Sequence, residues 1–104
     1  MAIKITGTNT AAAPGITGDD TDTGLVCGTN QVDISTGGSS RVTVNSSGHV
    51  GVNTTSPTLG YGGDTGIHIH SSATSGSRGP TIHLTSGVSG TLASDGSKIH
   101  QSDT

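Results

Sequence analysis

Five histidines in a chain this polar are the residues with the most chemistry to offer, and two of them have a spacing that suits a metal ion. In Gly66-Ile67-His68-Ile69-His70, strand alternation places both imidazoles on one face, about 6.5–7 Å apart. The competing reading buries Ile67 and Ile69 and turns His68 and His70 to solvent, and it is preferred because Ile is buried far more readily than His. His83 and His100 alternate with Ile82, Leu84 and Ile99 in the same way, while His49 sits beside a turn as a surface residue. No metal ligand is assigned on this pattern.

Catalytic chemistry has less support. Ser, His and Asp are all plentiful, so a triad drawn from them would reflect composition, and the nucleophile elbow G-x-S-x-G does not occur. Asp19, Asp20 and Asp22 form an acidic loop, but it lacks the ligand spacing and the later Glu of a calcium hand and reads as solvated or capping. Gly37-Gly38 and Gly62-Gly63 match no phosphate-cradling pattern. Cys27, between Val26 and Gly28, has no basic neighbour and reads as a small packed residue. The expectation is a protein that is not an enzyme, with no catalytic, cofactor-binding or metal-binding residues.

What remains is architecture. The 104 residues include 18 Gly, one Tyr, no Phe, no Trp and no Glu, and Ser plus Thr make up roughly a third. Only about 19 residues are Ile, Val or Leu, too few for one copy to offset the conformational entropy lost on folding. Disorder of this composition usually comes with high net charge, yet the formal charge is only −3 and the apolar residues alternate in order. The expectation is therefore a chain that closes its sheets against other copies of itself.

Other classes are disfavoured. Lys4, Arg41, Arg78 and Lys98 are scattered and lack aromatic neighbours, which argues against nucleic-acid binding. No run approaches the roughly 18 apolar residues of a membrane span. Met1 to Thr6 alternates where a secretory leader would be continuously apolar. A single cysteine precludes an internal disulfide.

Strands of three to six residues at about ten-residue spacing predict an all-β fold. Val42 and Val44, then Val50 and Val52, flank Ser46-Ser47-Gly48 as a hairpin, and Leu25–Cys27 and Gln31–Ser35 flank Gly28-Thr29-Asn30 as another. Further strands are expected over Ala2–Thr6, Ile67–His70, Thr81–Thr85, Thr91–Ala93 and Lys98–His100. Gly7 to Asp22 reads as an extended linker, because Pro14 and Gly15 end any helix begun by Ala11–Ala13. This gives four parts: an extended segment over 1–20, a first β cassette over 21–57, a Gly-rich bridge over 58–65 and a second β cassette over 66–104.

Thr21-Asp22-Thr23-Gly24-Leu25, Gln31–Gly38, Arg41-Val42-Thr43-Val44, Ser46–Val52 and Thr54-Thr55-Ser56-Pro57, taken in order, resemble the repeat of tailed-bacteriophage tail fibres. The likeness covers Asp20 to Pro57 well and Gly66 to Gln101 more loosely. It implies an interleaved homotrimer, located in the virion tail, in which an amino-terminal part docks to a tail adaptor or baseplate protein. Ile3, Ile5 and the loop to Asp20 would be the docking surface, and host receptors would be met only by a distal region beyond these residues. In some phage fibre tips a G-x-H-x-H element from three chains surrounds one iron, which is the form a metal site at His68 and His70 would take. A capsid-attached fibre or decoration protein is the alternative. A glycan-binding module using Tyr61 and the His-bearing strand faces is a more distant one.

Overall fold

The computed structural model describes residues 3–61, 63–74, 79–88, 90 and 96–101. The fold is all-β, with no helix among the described residues. Two compact units divide the chain, Met1–Ile69 and His70–Thr104.

The first unit is a seven-stranded sheet whose spatial order follows the sequence: β1 (Lys4–Ile5), β2 (Ile16–Thr17), β3 (Gly24–Gly28), β4 (Gln31–Thr36), β5 (Ser39–Val44), β6 (Val50–Val52) and β7 (Ile67–Ile69). Neighbours are antiparallel except β6 and β7, which run parallel. Local chemistry sets the turns. Gly37 and Gly38, at φ 56° and 75°, close the two-residue loop between β4 and β5, where both positions need a left-handed backbone to match strand twist. Asn45 organises the next turn, its Oδ1 accepting from the backbone N–H groups of Ser47 and His49, both at 3.0 Å. A bulge in the β4–β5 ladder lies at Ile34/Ser35 and leaves Arg41 unpaired between Val42 and Ser40.

Two sequence expectations need correction here. The segment over 1–20, read as an arm ahead of the first cassette, joins the sheet from Lys4 onward: β1 and β2 pair with each other, and β2 pairs with β3 through Ile16↔Leu25 and Thr17↔Gly24. Gly7 to Asp22 is likewise not a simple linker, since it contains β2 and a Thr10↔Ala13 bridge. The reason is that Ile16 continues the apolar row begun by Leu25, while Asn9 supplies sheet bonds from a side chain. Cys27 N–H donates to Asn9 Oδ1 at 2.8 Å, and Asn9 Nδ2 donates back to the Cys27 carbonyl. A side-chain amide thus stands where the next residue of a paired strand would be.

β7, read from sequence as the first strand of the 66–104 cassette, belongs to the first unit. It pairs with β6 through Val50↔Ile67 and Val52↔Ile69, and the stretch over 58–65 lies within the crossover that a parallel pair requires. The second unit contains β8 (Thr81–Leu84) and β9 (Ser97–His100), an antiparallel pair with Ile82 opposite Ile99. All eight residues of this pair are exposed. The expected strand over Thr91–Ala93 lies outside the described residues, as does Ala2 of the first expected strand.

Candidate interaction surface

Residues directly opposite one another in a ladder share a sheet face, so the register sorts the side chains of the first unit. One face receives Ile5, Ile16, Leu25, Cys27, Val32, Ile34, Val42, Val44, Val50, Val52, Ile67 and Ile69. Its polar strand residues are Thr36 and Ser39, at the end beside the β4–β5 turn, where Arg41 Nε donates to Thr36 Oγ1 at 3.1 Å. The other face receives Lys4, Thr17, Gly24, Asp33, Ser35, Thr43, Gly51 and His68, with Val26 its one large apolar residue.

Burial is the reverse of what this division predicts for a sheet whose apolar face meets its own core. Among the described residues no hydrophobic side chain is buried, and Ile34 is 47% exposed, Ile67 64% and Ile5 86%. Thr17, Asp33, Ser35 and Thr43 are buried instead. The chain has folded itself over its polar face. Ser35 Oγ donates to the Ala11 carbonyl at 2.6 Å, Pro14 is fully buried, and Pro57 is buried near Gly51. Asp33 is satisfied from within the sheet, accepting from Gln31 Nε2 and Ser40 Oγ at 3.1 Å each. Gly24 and Gly51 let these covers approach, since a Cβ on either would run into the carbonyl oxygen of Ile16 or Thr54.

The residues singled out for chemistry fall on both faces. Ile67 and Ile69 lie on the apolar side of β7 and His68 on the polar side, where its Nδ1 accepts from the Thr58 N–H at 3.2 Å. His70 begins the second unit. No group of three or more metal-ligating side chains converges among the described residues. His83 stands opposite Lys98, and His100 Nδ1 lies 2.5 Å from Thr81 Oγ1. Cys27, expected to be packed, is exposed, because the face it shares has no cover within one chain.

The acidic loop is tied up locally. Thr23 holds the Asp20 carboxyl below the ordinary aspartate range, whereas the Asp20 side chain, with which Asp22 shares a hydrogen bond, pushes Asp22 above it. Asp20 therefore adds stability at higher pH that is lost as pH falls through its depressed value, and Asp22 acts in the opposite direction. Thr23→Val is expected to raise the Asp20 midpoint toward the ordinary value in a carbon-13 NMR titration, and an unmoved midpoint would show that Thr23 is not the cause. Asp19 lies 3.8 Å from Lys4 Nζ.

A cleft of about 510 Å³ opens beside the crossover, lined by Asn45, His49, Pro57, Leu59, Tyr61 and Asp64 among others. His49 Nε2 lies 2.8 Å from the Asp64 carbonyl oxygen, and Asp64 Oδ2 accepts from the Tyr61 N–H at 3.0 Å. Tyr61 itself is 82% exposed.

Sequence reasoning found the valine alternation but missed Asn9 and the self-covered row of Asp33, Ser35 and Thr43. The usable signal was there: Val32-Asp33-Ile34-Ser35 and Val42-Thr43-Val44 alternate in phase. Comparison with protein-family models, with curated proteins and with solved structures gives no match.

Proposed function

We propose that the chain is a structural virion protein: the amino-terminal part of a phage tail fibre that forms a homotrimer, docks to a tail adaptor or baseplate protein and supports host adhesion by a distal part. The observation carrying this reading is the predominantly apolar, uncovered face of the first sheet, with no hydrophobic side chain buried among the described residues of one copy. The repeat-like series from Asp20 to Pro57 supplies the fibre class and the number three. Ile3 and Ile5, 84% and 86% exposed at the edge of the sheet, remain the docking surface in this proposal.

Sedimentation velocity tests it directly. The expected species has about three times the 10.1 kDa chain mass at micromolar concentration, and a compact, cooperatively melting monomer would overturn the reading. A second reading, a glycan-binding module, is favoured by the cleft beside the exposed Tyr61 ring. Binding on a glycan array that Tyr61→Ala abolishes would favour this reading, and absence of binding would oppose it.

A further inference from the structure

We infer that the apolar face from Ile16 to Ile69, eleven residues inward of the edge residue Ile5, is the surface that copies of this chain turn onto a shared core. The inference rests on the self-association proposed above and names the residues that perform it.

Three observations select the occupant. First, the chain uses its own covering segments on the opposite side: Ala11 and Pro14 lie over Ser35 and Gly24, and Pro57 lies against Gly51. Second, the other apolar strip in the described residues is too small. β8 and β9 place Ile82, Leu84 and Ile99 on one side, three side chains against eleven. Third, the composition of the face is that of a domain core cut in half. Away from the β4–β5 turn it consists of Ile, Val and Leu with one Cys, and Thr36, Ser39 and the Arg41 side chain that bonds Thr36 are confined to that end.

The matching panel must be equally broad and, opposite the strip away from Arg41, free of charge. A second copy carries it by definition. The register also makes the panel continuous: Leu25, Ile34, Val42, Val52 and Ile69 run opposite one another across five strands, and Cys27, Val32, Val44, Val50 and Ile67 do the same beside them. Two parallel rows of this kind let three such faces line a common axis, the side chains of each sheet interdigitating with those of its neighbours as the inner faces of packed sheets do.

Cys27 provides a native probe, since it is exposed in one chain and lies in the second row. In the assembled protein its reaction with a thiol reagent such as Ellman's reagent is expected to be at least tenfold slower than in the denatured chain. Ile34→Asp and Val44→Asp are expected to sediment as monomers or unfolded chains at concentrations where wild type is assembled, whereas Ser46→Asp, in an exposed turn, stays assembled. Should the aspartate variants simply fail to fold, thiol protection in wild type still decides. Assembled wild type with Cys27 reacting at the denatured rate and with Ile34→Asp still assembled would overturn this interface and leave the oligomeric reading standing. A folded wild-type monomer would remove both.

Discussion

A chain lacking residues 1–20 is expected to lose its cooperative thermal transition. That segment is part of the first unit: it supplies β1 and β2, the Ala11 carbonyl that receives the Ser35 hydroxyl, and the fully buried Pro14. Its removal strips the edge of β3 at Leu25 and Gly24 and opens Ser35, now without any exposure, to solvent. The Asn9 bonds to Cys27 disappear with it. Each lost hydrogen bond contributes about 0.5–1.5 kcal/mol, and small domains have only about 5–15 kcal/mol in total. Circular dichroism melting is the measurement. Removing residues 1–5 alone takes away exposed Lys4 and Ile5, so that variant is expected to melt within a few degrees of wild type. Similar melting of both truncations would show that the segment does not stabilise the sheet, and would return it to the role of a simple tether.

Gly24→Val is the second large effect. A Cβ at this position runs into the Ile16 carbonyl oxygen and stands 3.0 Å from the Ile16 carbonyl carbon and 3.1 Å from Pro14 Cβ. Two of these obstacles are backbone atoms that also hold the β2–β3 pairing, so relief requires separating the strands. Overpacking of this kind costs about 1–3 kcal/mol or more, which corresponds to a fall in Tm of about 5–20 °C for a domain of this size. Gly7→Ala is the control, because a Cβ there meets nothing within 4 Å, and a shift under about 0.5 kcal/mol is expected. Equal Tm values for the two variants would mean that β2 does not lie against Gly24.

The strands that sequence reading located best are those with two or more alternating apolar residues and a turn of strong local chemistry. Val42, Val44, Val50 and Val52 around the Asn45–Gly48 turn became β5 and β6, and Gln31–Ser35 became β4, one residue longer. β2 was missed because two residues, Ile16 and Thr17, are too short to show a period. Asn9 was missed because its partner, Cys27, is distant in sequence and side-chain pairing leaves no local trace. β7 was located but placed with the wrong neighbours: alternation tells which residues share a face and is silent on which strand lies alongside. The interaction surface was half legible. The scarcity of apolar residues pointed to copies sharing a core, while the tucking of the polar face under Ala11, Pro14 and Pro57 depended on tertiary contacts.

The uncovered aliphatic panel also bears on how the protein is made. Newly synthesised chains leave the ribosome singly, and until they meet they show water a broad greasy flank. Encounter between chains is a second-order event, so recovery of correctly assembled material should climb with expression level up to the point where off-pathway clumping overtakes it. Dilution during refolding, usually protective, is here expected to starve the productive route as well.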